Sequence, residues 1–486
     1  MMRARITARR PLPRARSHRD AGTTVARARV VAPVAPRMRA SRRALASSAR
    51  RAVDMSARSP RAREDARRDR GVACGRGRAS VGSALSLAPG LDVTTPQFRA
   101  LARAMTRRAR LWTEMAHHDA VERRHASTMV LGERAVTAQL GGSSASGLAR
   151  ATEVLVDEYG YDEVNLNCGC PSERVCAKDD ESRCFGAAMM LNIENTAECA
   201  RRMAEVAGGS KITVKHRLGV RFDKTMTKTE ATDGYDHVVN FVEAIKDAAG
   251  VEHFIVHARS AVMGGLSTIA NRSVPPLRYD EVFALCDEFG ACDFTLNGGV
   301  KNLDDAKALL ERDGGKLAGV MMGRAFYQNP CMLADVDRVI FGEAAVEPPL
   351  TRRSLAKIHG EYVDAEFAKY TPDVMNAKFR KSLARNMFRA IDGITYGSYT
   401  GARAFHRAAD AWLAREYDHL PATPEDDRPY SENFANFMRE TVDEETLDEP
   451  LINVPWEGKN TRRLARHLTK LHVSNDDTAR EDEDES

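Results

Sequence analysis

Residues 161–175 read YDEVNLNCGCPSERV. Val164 and Leu166 alternate with Asn165 and Asn167, the period-two pattern of a buried strand, and the run stops at Gly169-Cys170-Pro171. Pro171 lacks a backbone N–H and pushes its predecessor out of helical geometry, so Cys170 is expected in a turn just past the strand's carboxyl end. A cysteine there is either a small buried thiol or a reacting group. The rest of the chain discriminates between the two.

The same signature recurs on both sides of this stretch. Residues 85–88, LSLA, form a first strand that ends at Pro89-Gly90, residues 111–115 form LWTEM, and AVTAQLGG alternates toward Gln139 before Gly141-Gly142. Beyond the quoted stretch come KITVKHR with a strand at 212–216 and HFIVHAR with one at 254–258. DFTLNGGV, ending at Asn297-Gly298-Gly299, and AGVMMGRAF, ending at Gly323-Arg324, complete the series. Helices fall between them. Pro96 opens one at a position where its missing N–H is harmless, and residues 143–146 can cap another whose Leu148, Ala151, Leu155 and Tyr159 share a face. NLDDAKALLE places Leu303, Ala306, Leu309 and Leu310 together on a third.

Eight strand–helix units over residues 83–342 match the length and rhythm of an α/β (β/α)8 TIM barrel. In that fold chemistry belongs to the carboxyl ends of the strands. Pro89-Gly90, Gln139, Cys170, Lys215, His257, Asn297-Gly298-Gly299 and Gly323-Arg324 all fall at such ends.

Composition bounds the remainder. The chain has 486 residues, 43% of them hydrophobic, enough for a large core and a second smaller domain. No run approaches the roughly 18 apolar residues of a membrane span, so no membrane partner is expected. Nine cysteines, four of them between Cys168 and Cys184, point to a reduced compartment, and their spacing fits no CxxC metal pair. Beneath a net charge of +5, residues 1–80 are rich in Arg, Ala and Ser and poor in acids. Such a leader resembles a mitochondrial or plastid transit peptide, with a basic nucleic-acid-binding arm on a cytoplasmic protein as the alternative. Residues 474–486, SNDDTAREDEDES, read as a solvated acidic tail.

After the barrel, residues 346–416 read as an all-helical domain. Ile358, Tyr362, Phe367 and Tyr370 stand apolar among charges; Met387, Phe388 and Ile391 lie amid Arg380, Lys381, Arg385, Arg389, Arg403 and Arg407. That arginine density marks either a solvated face or a phosphate-binding surface. Residues 417–486 read as an irregular extension, with no structure assigned to 421–451. No pairing between subunits is evident, and a monomer is expected.

Two glycine-bearing strand ends, NGGV and MGRA, suit a phosphate, because glycine lets backbone N–H groups approach an anion and Arg324 adds a cation. Lys215, protruding from an apolar strand, needs an anionic partner, since an unpaired buried ammonium is costly. Gln139 can donate and accept at once, as a flavin's pyrimidine edge requires, and His257 adds a second polar contact. Together they favour bound flavin mononucleotide (FMN).

The runs APGLD, TEM, AQLGG, NLNCGCP, VKHRLG, FIVHAR, NRSVPPL, LNGGV and GVMMGRAFYQNP resemble those of the tRNA-dihydrouridine synthases, over residues 83–410. The HAR…GLS…NR..PPL segment is similar to the bacterial type A branch. The resemblance implies reduction of the C5–C6 double bond of a tRNA D-loop uridine by FMN recharged with NADPH. It implies Cys170 as the general acid that protonates C5 while hydride passes from flavin N5 to C6. An ordinary thiol, with a reference pKa of ~8.5, is mostly protonated at neutral pH, as that role demands. Asn167 would help hold the uracil. Pro89, Gly90, Leu91, Gln139, Lys215, His257, Asn297, Gly298, Gly299, Gly323 and Arg324 would hold the flavin. Arg259, Arg272 and Arg385 would meet tRNA. Pulling a uracil out of the folded tRNA costs a few kcal/mol, which phosphate contacts along the arginine-rich surface can offset.

Three departures stand out. Gly90 occupies a place where the family usually has methionine. Residues 176–184, CAKDDESRC, lengthen the loop beside Cys170 and carry a cysteine at each end, either two free thiols or a reversible disulfide. Residues 225–237 read as a surface insertion. Two rival functions remain: an FMN barrel reducing a small alkene, and an RNA-binding protein on a catalytically dead barrel.

Overall fold

The computed structural model describes residues 84–171, 184–208, 211–222, 232–369 and 430–454, with shorter stretches between 388 and 412. Ten strands occur in it: β1 Leu85–Leu87, β2 Leu111–His117, β3 Val136–Gly141, β4 Glu163–Cys168, β5 Ile212–Arg217, β6 Val220–Phe222, β7 His253–His257, β8 Ala261–Met263, β9 Asp293–Asn297 and β10 Gly319–Met322. Eight of them form one all-parallel sheet in the order β1-β10-β9-β7-β5-β4-β3-β2. A parallel bridge between Ser86 and Arg110 closes the ring, with the Leu87 N–H donating to Arg110 O at 2.9 Å. The expected (β/α)8 barrel is therefore the fold. The short β6 and β8 pair as a separate parallel ribbon on its mouth.

Helices alternate with the strands where capping residues permit. α1 Pro96–Met105 starts with proline in its first turn and Thr95 accepting from the Phe98 N–H at 3.3 Å. After α2 His118–Glu122, α3 Ala145–Glu153 is capped by Ser144, which accepts from the Gly147 N–H at 3.3 Å. The helix widens into a π turn over Val154–Glu158, so Leu148, Ala151 and Leu155 are buried while Tyr159 is not fully so. α4 Ile193–Ala207, α5 Tyr235–Ala249, α6 Tyr279–Glu288 and α7 Leu303–Glu311 follow their strands in the same rhythm.

Alternation along each strand sorts two environments. On β4, Val164, Leu166 and Cys168 face the helices, while Glu163, Asn165 and Asn167 face the barrel axis. The outer layer is apolar, with Phe241, Phe254 and Phe294 fully buried. The interior holds a small plug of Ala88, Trp112, Ile255 and Met321 beside a column of polar side chains. Register stacks this column: Gln139 is opposite Asn165, Asn167 opposite Lys215, Arg217 opposite His257, and His257 opposite Asn297.

Past the barrel come α8 Arg324–Gln328, α9 Val336–Val339, α10 Arg352–Ala368, α11 Tyr430–Thr441 and α12 Glu444–Asp448. The last two overturn the reading of 421–451 as structureless. Phe434, Phe437 and Met438 repeat at helical spacing, and the rings of Phe434 and Phe437 join Phe388, Phe405 and Trp412 in one aromatic cluster. The period was masked by the acids and turn formers around it. The buried face of α10 also differs from expectation. Leu355, His359 and Val363 point inward, whereas Ile358 is exposed. Arg352, fully buried, donates to Ile394 O at 2.9 Å and pairs with Glu449 at 2.8 Å, so one arginine of this region is internal glue. Arg407 is exposed; Phe367's side chain, Tyr370, Arg380, Lys381, Arg385, Met387, Arg389, Ile391 and Arg403 lie outside the described residues. So do the leader, the acidic tail, Cys176 and most of the 225–237 insertion.

Candidate active site at the barrel mouth

The carboxyl ends of the barrel strands bring the expected residues to one end of the molecule. Cys170 follows β4 in a turn that Asn167 holds: its Oδ1 accepts from the Gly169 and Cys170 N–H groups, each at 3.0 Å. Proline at 171 and this side-chain cap together make the turn the sequence called for. Cys170 is partly exposed, whereas Cys168 lies fully buried beside Cys199, and burial pushes the Cys168 thiol well above its ordinary range. The two thiols of the quoted stretch thus face different environments, and the described cysteines, Cys184 included, are free.

Lys215 projects from β5 toward the same mouth. Its Nζ donates to Asn297 Oδ1 at 3.1 Å, and Asn297 Nδ2 donates in turn to Met321 O at 2.8 Å. Burial lowers the ammonium to about 7, and the Arg217 charge adds to the effect while Cys170 opposes it. Burial likewise takes His257 well below its usual value, reinforced by the nearby charges of Arg217, Lys215, Arg259 and Arg324. Among the described residues, no carboxylate pairs with Lys215, Arg217, Arg259, Arg272 or Arg324. Such a concentration of unneutralised cation calls for an anion.

The glycines supply its cradle. Gly298 has φ +112°, and a Cβ there would stand 2.5 Å from the His257 ring. Gly299 has φ +76°, with Leu277 2.5 Å from where its Cβ would be. Tyr279 fixes this turn by donating to Gly298 O at 2.5 Å. Gly323 precedes α8 with Ala88 Cβ 3.2 Å from its own missing Cβ, and the exposed Arg324 donates through Nη2 to Arg272 O at 2.8 Å.

The first strand end has its own arrangement. At Gly90 a Cβ would come within 2.9 Å of the Tyr327 hydroxyl, which donates to Ala88 O. Tyr327 therefore fills space that a side chain at 90 would otherwise take, while Leu91 is exposed. Glu114, on β2, accepts from the Asp92 N–H at 2.6 Å and steadies this loop; burial raises its carboxyl above the usual range.

Arg259 and Arg272 differ in placement. Arg272 is exposed at the rim; Arg259 is buried, donates to Pro275 O, and leaves its Nε without a partner. Sequence reasoning missed Arg217, which sits two residues after Lys215 on the same strand face. Its guanidinium, buried among backbone carbonyls, donates to Gly169 O at 3.0 Å, Ser260 O at 3.1 Å and Asn271 O at 2.8 Å. Burial, then Arg272, lower it to about 9. It ties the Cys170 turn to the loop after β7, a link that the period-two pattern alone hints at.

A parallel (β/α)8 barrel with a cationic, glycine-cradled mouth and a turn-held cysteine defines a barrel protein built to hold an anionic ligand beside a thiol. The family described as Dihydrouridine synthase (Dus) matches residues 86–414, and the chain belongs to that family. Relatives include the tRNA-dihydrouridine(20/20a) synthase of Vibrio parahaemolyticus, 37% identical over 59% of this chain and 81% of its own. The enzyme of that name from Escherichia coli K12 is 34% identical over 66% of this chain and 84% of its own. Among solved structures, a morphinone reductase matches with a TM-score of 0.36 and 12% identity, over 57% of this chain and 90% of its own, a likeness too weak to bear on function.

Proposed function

We propose that this protein reduces the C5–C6 double bond of a tRNA D-loop uridine, at position 20 or 20a as its relatives' names state, with FMN as bound cofactor and NADPH as reductant. The observation that carries this reading is the meeting of Cys170, Lys215 and the Gly298–Gly299 and Gly323–Arg324 turns at one barrel end, where the cations have no carboxylate partner among the described residues. FMN fits that mouth: the glycine turns with Arg324 suit its phosphate, Lys215 the anionic edge of its reduced ring, and Gln139 its pyrimidine edge. Once bound and reduced, the flavin supplies hydride to uracil C6.

The chain's own residues do the rest. Cys170 Sγ would deliver the proton to C5, its turn held by Asn167 and Arg217. Asn167 keeps one amide proton for the uracil after bonding Gln139. Arg272 at the rim offsets the cost of extruding the base by meeting tRNA phosphates, and Arg385, outside the described residues, takes the same part by the family resemblance. The Arg-rich leader directs the protein to a mitochondrion or plastid, which a fusion of residues 1–80 to a fluorescent reporter tests by where the reporter accumulates.

Purified protein should be yellow, and NADPH with unmodified tRNA should raise the dihydrouridine content mapped in the D-loop. Cys170→Ala should keep the flavin spectrum and lose reduction by about 100-fold or more. Wild-type turnover by that variant would remove the proton-donor assignment. Rapid NADPH oxidation with a small enone, and none with tRNA, would favour the alkene reductase instead.

A further inference from the structure

A continuous line of side-chain hydrogen bonds climbs the barrel interior from its floor to the Cys170 turn. At the floor, Glu163, the first residue of β4, pairs through Oε2 with Arg110 at 3.1 Å. Its Oε1 accepts from the hydroxyls of Thr137 and Thr213, each at 3.1 Å. Asn165 Nδ2 donates to Thr213 Oγ1 at 3.0 Å, Gln139 Nε2 to Asn165 Oδ1 at 2.9 Å, and Asn167 Nδ2 to Gln139 Oε1 at 2.9 Å. Asn167 Oδ1 then accepts the two amides of the turn. Every side chain in the line is buried.

The direction of this line is not arbitrary. A carboxylate only accepts, so Thr213 must spend its single proton on Glu163 and present a lone pair upward. Asn165 must then turn its NH2 down and its oxygen up. The same constraint passes to Gln139 and Asn167, leaving an oxygen at the top, where the Gly169 and Cys170 N–H groups need an acceptor. Seen from above, those two backbone donors demand the same orientation. The amide of Gln139, which can face a flavin edge, inherits its donor and acceptor sides from a residue at the opposite end of the barrel.

We propose that Glu163 is a positioning residue that sets hydrogen-bond polarity along the barrel axis, orienting the Gln139 amide and holding the Cys170 turn without touching either reactant. The inference rests on the roles of Gln139 and Cys170 given above. In Glu163→Gln the oxygen stays with Arg110, and the new NH2 meets Thr213 as a donor. Thr213 is then free to donate upward, and the turned amides bring the NH2 of Asn167 against two N–H groups.

The test compares wild type with Glu163→Gln, Thr213→Val and the double variant. Amide hydrogen exchange, read by mass spectrometry on the peptide bearing Gly169 and Cys170, should accelerate about five- to tenfold in each single variant. The midpoint potential of bound flavin should shift in both. The double variant should exchange no faster than either single, because both cut the same line. Unchanged exchange in the variants that melt as wild type does, or additive effects in the double, would overturn the proposal; should Glu163→Gln not fold, Thr213→Val decides. A wild type without flavin would instead defeat the proposed activity, while the exchange comparison would still judge Glu163.

Discussion

Lys215 shows how far a single charge can be read from sequence. Its place in an apolar strand already signalled a buried cation, and the structure adds a folded pKa of about 7 against an ordinary 10.5. Between those values the unfolded chain binds a proton that the folded chain does not, so Lys215 opposes folding fully below pH 7 and progressively less toward pH 10.5. Lys215→Met should therefore raise the melting temperature of flavin-free protein, most at pH 6 to 7 and less at pH 9. A gain that grows with pH would contradict the assignment. Arg217 was less visible, because a basic residue at a strand end reads equally well as solvent-exposed. Its burial follows from three carbonyls that lie 43 to 54 positions from it along the chain, and contacts at that range leave almost no local trace.

At the level of elements, strand ends were legible and helix faces less so. The β9 end illustrates the first: Asn297-Gly298-Gly299 was readable as a tight anion turn, and both glycines have positive φ. Gly298→Ala forces a side chain into the left-handed region and against the His257 ring, and should cost about 2–4 kcal/mol in urea unfolding along with flavin occupancy. Retention of both would show that the turn can shift. Helix α11 illustrates the second. Phe434→Ala removes a fully buried ring from the aromatic cluster and should cost about 3–5 kcal/mol, measured as a lowered denaturation midpoint. A loss under about 1 kcal/mol would mean that the helix is peripheral to stability.

Across the whole molecule, the barrel and the helices after it lie in one compact unit, residues 74–486, so the described aromatic cluster and the barrel core are continuous. α10 packs on both α1 and α11, which makes the helical part a buttress of the barrel. The exposed cations at the mouth should make tRNA binding fall with salt. Arg272→Ala should reduce the slope of log affinity against log salt by roughly 0.7–0.9 and leave flavin absorbance unchanged. An unaltered slope would take Arg272 off the RNA path.

The eight barrel strands, the barrel class, the Cys170 turn and the glycine cradles were decided by local chemistry: alternation, proline, glycine and caps act over a few residues and are written into consecutive positions, whereas the β6–β8 ribbon on the mouth was not foreseen. The order of the interior column, the burial of Arg217 and Arg352, the filling of the space at Gly90 by Tyr327 and the assembly of α11 into the aromatic cluster were decided by tertiary packing alone. Each depends on strand register or on loops meeting from distant parts of the chain, and hydrogen-bond polarity in a closed barrel exists only once all its strands are side by side.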